Sequence, residues 1–341
     1  MSGPPDAPAV AGPDPPPGLG VVVIGRNEGD RLRRCLDAVP AGVPVVYVDS
    51  GSTDDSVGMS RRRGVAVVEL DLATPFTAAR ARNAGAGRLV ERHPAVRVIQ
   101  FVDGDCELVP GWLAAGGRAL ADDGRAGIVC GRTRERHPER SIYNRLCDIE
   151  WDVPAGEVAA CGGIMMVRAD VFAAVGGFDP AVIAAEDDEF CLRVRRTGRT
   201  VVRVGHDMVL HDAAMTRASQ WWTRSVRCGY AYALGAGLHG RGPERHFVRE
   251  RRRAVIWGGV VPLLAVVPAV PTGGWSLALF GLYAVQLARV YHGLRRRVAV
   301  RRHALAYAAA CVLGKFPQAV GVWRYARDRR RRRAAQIIEY K

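Results

Sequence analysis

The stretch FVDGDCE, Phe101 to Glu107, decides how the rest of the chain is read. The apolar residues before and within it (Val96, Val98, Ile99, Phe101, Val102) predict a buried strand. That strand stops on two carboxylates, Asp103 and Asp105, with one glycine between them. A strand ending this way sets two oxygen ligands at the carboxyl edge of a sheet, where open α/β folds bind their ligands. Oxygen ligands suit a hard divalent cation, Mn²⁺ or Mg²⁺, which in turn suits a diphosphate. Asp and Gly also make ordinary turns, so the pattern draws its force from its surroundings.

Outward from this stretch, short apolar runs alternate with longer helical patterns. Strands are predicted at Val21–Ile24, Val45–Val48 and Val65–Val68, and helices at about 29–38, 54–63 and 77–92. This βαβ rhythm implies an α/β fold, a Rossmann-like, mostly parallel sheet with helices on both faces. The first strand runs into GRNEGD rather than a GxGxxG turn, which argues against a nicotinamide or flavin enzyme. Residues from about 132 to 156 are polar and mixed, and read as an irregular, mobile loop over the site. CGGIMMVRADVFAAVGGFD then predicts a strand, a turn and a short helix, and Thr200–Val204 a further strand. Between them, AEDDEFCLRVRRTG opens a helix with acids first and bases last, matching the helix dipole.

The composition changes beyond about residue 247. Ala254–Val270 and Trp275–Val290 are nearly continuous apolar segments around a Pro-Thr-Gly-Gly turn, near the lower limit for spanning helices. Arginines border both outer ends and the turn is uncharged, so the positive-inside rule predicts a hairpin, about 254–290, with both ends in the cytoplasm. A third apolar segment, about 304–323, carries Lys315 and Pro317 and is flanked by arginines at both ends; an interfacial or re-entrant helix is expected, then a basic tail. A buried soluble helical bundle is the competing reading. The chain carries a formal charge of +15 and 48% hydrophobic residues. Because much of the charge borders these apolar segments, it reads as an anchor on anionic lipid rather than a nucleic-acid surface. None of the eight cysteines forms a CxxC pair, which fits a reducing compartment. The Pro-rich residues 1–18 lack the basic and apolar regions of a signal peptide and read as a disordered leader.

Six segments, in order, resemble family 2 glycosyltransferases of the GT-A fold: VVVIGRNE, VVYVDSGSTDDS, AARARNAG, FVDGDCELVPGWL, GGIMMVRADVFAAVGGFD and AEDDEFCLRVRRTG. The resemblance covers roughly the first two thirds of the chain. It implies a nucleotide-sugar site made by Asn27, Glu28, Asp49, Arg82 and Asp103, with Asn83 close by. It implies a metal held by Asp105, with Asp103 in support and His211 as a third ligand. It makes Asp187 the general base beside Glu186, with Arg193 orienting the acids and crowding raising the carboxylate pKa. Gly162 and Gly163 would admit an acceptor close to the backbone, with Trp221 and Trp222 stacking on it or lying at a membrane interface. Asp54 is expected mainly to cap a helix. Where relatives often carry Asp-Asp, this chain has Asp49-Ser50, which puts uracil specificity in question. QWWTR departs from the QxxRW segment of processive synthases.

The expected organisation is a leader (1–18), a GT-A catalytic domain (19–246) facing the cytoplasm, and a membrane-associated helical region (247–341). The expected activity is metal-dependent, inverting transfer of one sugar from a nucleotide-diphosphate donor to a membrane-bound or lipid-linked acceptor. A processive polysaccharide synthase and an inactive membrane scaffold of the same fold are the alternatives. A nucleotidyltransferase would need a glycine-rich, basic loop after the first strand, and GRNEGD lacks it.

Overall fold

A computed structural model describes residues 14–331. Most of the expected leader and the last residues of the basic tail lie outside that range. The first half runs β1 (Leu19–Gly25), α1 (Asp30–Asp37), β2 (Val45–Asp49), α2 (Ser56–Arg62), β3 (Ala66–Glu69), α3 (Ala78–Arg92) and β4 (Val98–Asp103). Next come β5 (Cys106–Leu108), α4 (Trp112–Asp122), β6 (Ala126–Glu135), α5 (Ile142–Trp151), β7 (Gly156–Val158), β8 (Met165–Arg168) and α6 (Ala169–Ala174). Then follow α7 (Glu186–Arg196), β9 (Thr200–His211) and α8 (Ala218–His239). The C-terminal region holds α9 (Val248–Val255), a π-helical turn, α10 (Val261–Val266), a 3₁₀ turn, α11 (Gly281–Leu294), α12 (Arg301–Leu313) and α13 (Lys315–Arg330).

The strands form one nine-stranded sheet in the order β3-β2-β1-β4-β8-β6-β9-β5, with β7 against β9. Parallel pairing holds across β3-β2-β1-β4 and again between β6 and β9. The other four pairings are antiparallel, so the sheet is mixed rather than mostly parallel. Each parallel neighbour in the first half is reached through a crossover helix, as parallel pairing requires. Helices α1 and α4 bury Leu32, Leu36, Trp112 and Leu120 on one face of the sheet. Helices α3, α6 and α7 bury Ala86, Leu89, Val171, Phe190 and Val194 on the other. In-register pairing of Ile24 with Asp103 and of Gly25 with Asp49 brings the ends of β1, β2 and β4 to one edge.

Three local expectations are corrected. Residues 132–156 are not an irregular loop: β6 extends to Glu135, and α5 follows behind a Ser141 cap whose hydroxyl accepts the Asn144 N–H at 3.0 Å. Their polarity reflects exposure of one face, while Leu146 and Cys147 are buried. There is no turn between β8 and α6. The strand at Thr200 continues for twelve residues to His211, because it pairs with β5, β6 and β7 in turn.

In the C-terminal region α13 lies along α8 with backbone-to-backbone contact. A Cβ on Gly321 would stand 2.0 Å from the Val226 carbonyl oxygen, and one on Gly229 would stand 1.9 Å from that of Gln318. Tyr230 meets Tyr325 edge-to-face beside this seam. The expected hairpin is not a pair of unbroken helices. Its first arm passes through a π turn and ends at Val266, and its second begins with a 3₁₀ turn. Its apolar side chains are nonetheless exposed, Val270 at 92% and Trp275 at 84%. Among the described residues, one helical stretch, Arg301–Arg330, is long and apolar enough to cross a membrane by length and composition.

Candidate active site

An open cleft of ≈1630 Å³ lies against the carboxyl edge of β1 and β4, with α7, α8 and α9 on its far side. At its centre is Arg82, on α3 and 3% exposed. One guanidinium nitrogen donates to Glu186 Oε1 at 2.7 Å and another to Asp103 Oδ1 at 2.9 Å. The planar fork thus joins the end of β4 to the start of α7. Arg82, expected to meet donor phosphate, lines the cleft with its charge matched by two carboxylates. Burial opposes that charge, but Asp103, Glu186 and Asp187 outweigh the penalty and raise the Arg82 pKa. Gly163 makes room for it, since a Cβ there would stand 1.9 Å from a guanidinium nitrogen. The expected role of Gly163 in acceptor approach therefore gives way to a packing role. Gly162 lies next to Asp187, whose Oδ2 is 3.9 Å from where a Cβ would be.

Glu186 and Asp187 differ sharply. Glu186 is buried and bound to Arg82. Asp187 is half-buried, lines the cleft, and accepts the Asp188 N–H at 2.9 Å. Burial, followed by the neighbouring charge of Glu186, pushes its pKa up to about 6, against the pull of Arg82. Asp188 is also raised by burial and by Asp187. The residue before this pair, Ala185, has φ +56°. A non-glycine residue held in the left-handed region at the start of an acid-bearing helix is a strain that rigid surroundings must maintain. Arg193 does not orient this pair; it forms a fork with Glu189, which also meets His239 Nε2 at 2.9 Å.

Asp105 Oδ2 and His211 Nε2 are 3.2 Å apart, brought together because β5 pairs Cys106 with His211. Trp151 stacks on the His211 ring at 4.8 Å. Ligand atoms of Asp105, Cys106 and His211 all fall within 4.8 Å of one another. Carboxylate and imidazole donors fit a divalent cation. Asp103, expected to support the metal, is not in this group, and its Oδ1 accepts from Arg82.

Asn27 and Glu28 line the cleft, but Asn27 is occupied with the loop after β2. Its Oδ1 accepts the Thr53 N–H at 2.7 Å, and its own N–H donates to Ser52 Oγ. Glu28 pairs with Arg31 at 2.8 Å. Asp49 does not line the cleft: its carboxylate accepts from Tyr47 Oη and from the N–H groups of Gly51 and Ser52. It shapes the loop, and Ser50 faces the cleft in its place. Asp54 accepts from the Gly29 and Ser56 N–H groups, holding the first turn of α2. Asn83 clamps the Phe178 backbone through both its amide atoms. Trp221 and Trp222 do not line the cleft: Trp221 packs on the Cys147–Met215 cluster and Trp222 is 46% exposed.

Sequence reasoning passed over two supports. Buried Glu135 accepts the Ala213 N–H and an Asn144 amide proton, fixing the chain just after His211. Glu150 and Arg224 form a two-bond pair at 2.8 and 3.0 Å between α5 and α8. The aromatic and charged mixture around Trp151 was the available signal.

A mixed α/β sheet with a carboxylate–imidazole pair and a raised Asp at its edge fits the GT-A fold, and the comparisons agree with that fold. Residues 20–172 match the model of Glycosyl transferase family 2, and residues 147–218 that of the N-terminal domain of galactosyltransferase. The protein is a glycosyltransferase, and its residues 20–172 carry the family 2 signature. Among solved structures it is similar to the mannosyltransferase PcManGT from Pyrobaculum calidifontis, solved in complex with GDP-Man and Mn²⁺. The TM-score is 0.55 and the identity 22%, over 89% of this chain and 90% of that one. It is also similar to residues 1–349 of S. aureus TarS, with TM-score 0.50 and 14% identity over 90% and 91% of the two chains. At these identities the likeness concerns the fold. No curated protein matches the sequence.

Proposed function

We propose that this glycosyltransferase moves one sugar from a nucleotide-diphosphate donor to a hydroxyl of a membrane-bound or lipid-linked acceptor, with inversion. The observation that carries the reading is Asp187, a cleft-facing carboxylate with a pKa of about 6 and, among the described residues, no ion pair of its own. Such a group can take a proton from an acceptor hydroxyl near neutral pH. A single base, with its neighbour Glu186 tied to Arg82, favours direct displacement over a covalent intermediate. Asp105 and His211 would hold Mn²⁺ or Mg²⁺, which would neutralise charge on the diphosphate leaving group. The GDP-Man and Mn²⁺ bound to the Pyrobaculum neighbour support a donor and metal of this kind. The exposed apolar hairpin and the stretch Arg301–Arg330 support attachment to the cytoplasmic membrane, with the cleft facing the cytoplasm.

The test is nucleotide release from UDP-, GDP- and dTDP-sugars in detergent, with Mn²⁺, with Mg²⁺ and with chelator. Release from one donor, lost with chelator and in Asp105→Ala, is the expected result. No release and no metal-dependent nucleotide binding across the panel would overturn it in favour of an inactive scaffold.

A further inference from the structure

The side of the cleft away from Asp105 is roofed by arginines whose charge is not matched. Arg245 precedes α9, Arg249 and Arg252 lie three residues apart on it, and all three line the cleft. All three are exposed, and none forms an ion pair among the described residues. Two more cleft arginines are held by carbonyls, not carboxylates. Arg195 donates to the Ala159 carbonyl at 2.8 Å and Arg203 to that of Trp151 at 2.7 Å. Of the acids on the same rim, Glu244 is bound by Arg196, while Glu250 lines the cleft and is near enough to Asp188 to help raise its pKa. That influence also places the first turn of α9 beside the acid helix, on the base's side of the cleft. The segment is held in costly geometry, with φ +48° at Arg245 and +55° at Phe247. Between them, His246 lines the cleft and packs at a tilt against the Phe247 ring. Backbone strain of this kind persists where the surroundings fix a side chain for use.

From this juxtaposition we infer that the acceptor carries a phosphate, and that Arg245, Arg249 and Arg252 bind it while its hydroxyl meets Asp187. This rests on the transferase reading above. Guanidinium groups are suited to phosphate oxygens through paired, charge-assisted hydrogen bonds. The neighbouring Arg251 and Arg253 do not line the cleft, so the same short run of arginines separates into an inward set and an outward set. Phosphate could also be presented by lipid headgroups, and the two sets distinguish the sources.

The experiment measures binding of octyl phosphate and octanol to the full-length protein by calorimetry, which needs no turnover and so can fail independently of the donor panel. Octyl phosphate is expected to bind and octanol to bind at least about tenfold more weakly. Arg249→Ala/Arg252→Ala should lose about tenfold in octyl phosphate affinity, with the melting temperature retained, as expected for exposed charged residues. Arg251→Ala/Arg253→Ala should keep that affinity and instead weaken flotation with anionic vesicles. Saturating Mn²⁺ and pyrophosphate should leave octyl phosphate binding intact. Equal binding of octanol, equal binding by the inward double variant, loss of octyl phosphate affinity in the outward pair, or displacement by pyrophosphate would each overturn the inference.

Discussion

Asp187 makes the clearest demand at the scale of single residues. Its folded pKa, about 6, lies above its ordinary value of 3.8. The rate of transfer should therefore fall below about pH 6, as the base becomes protonated. Asp187→Asn should lower the rate by about 10²–10⁴-fold. The same shift has a stability consequence of definite sign. A carboxyl that holds its proton more tightly when folded adds stability below pH 3.8, and that stability is lost as pH rises through 6. Asp187→Asn should thus melt higher than the parent at pH 8, with the gap closing toward pH 4; equal melting at pH 8 would count against the raised pKa. Gly163→Ala tests the other side of the site. Its new methyl must push Arg82 away from Asp103 and Glu186, and overpacking of this kind costs roughly 1–3 kcal/mol. Thermal unfolding should register the loss together with a fall in transfer. The acids themselves were legible in the sequence because they sit at the ends of patterned elements. Their partners were not. Arg82 and Glu186 are 104 residues apart, and no local pattern says which of α3's arginines turns inward.

Helices and strands in the first half could be placed from alternation alone, since each buried face leaves a period in the sequence. The second half resisted because its strands carry their polar residues toward the cleft. In β6, Arg132 and Thr133 are at register shifts against β9, where alternation is broken. The C-terminal helices were visible as apolar segments, but their mutual packing rests on glycines that composition does not single out. Gly321 on α13 sits against the backbone of Val226 on α8. Gly321→Val should force the two helices apart, lowering the unfolding midpoint by the equivalent of about 1–3 kcal/mol while leaving Mn²⁺ affinity at Asp105 and His211 unchanged. Loss of metal affinity along with stability would mean that α8 and α13 support the site more directly than their packing suggests.

For the whole molecule, the distribution of apolar surface matters most. Leu263, Leu264, Val267, Val270 and Trp275 are exposed together, an apolar patch of the kind that marks an interaction surface and that the proposed membrane attachment would cover. Replacing Val270 and Trp275 by Asp should weaken co-flotation with neutral liposomes by at least about tenfold, given the transfer energy of two large side chains. Nucleotide-sugar hydrolysis in detergent should persist in that variant, because the catalytic cleft shares no residue with the hairpin tip. Unchanged flotation would remove the hairpin tip from the proposed attachment.

The twelve residues of β9 carry a further constraint on how this chain can change in length. One strand runs from the end of the acid helix to His211, pairing on the way with β7, β6 and β5. The strand's register against β6 slips between Arg203 and Asp207 and again between Asp207 and Val209, but from Val209 to His211 its pairing with β5 and β6 is regular, so a residue inserted or deleted there would turn His211 to the opposite face. Gly205 is exposed at its middle and looks like a permissive place for an insertion. It lies within the first of those slips, where β9 already carries residues without partners on β6, while regular pairing further on holds His211 beside Asp105. Gly198, before the strand begins, has open space around it and can absorb extra chain without disturbing that phase. Tags, linkers and natural length variation should therefore be tolerated at Gly198 and refused between Val209 and His211.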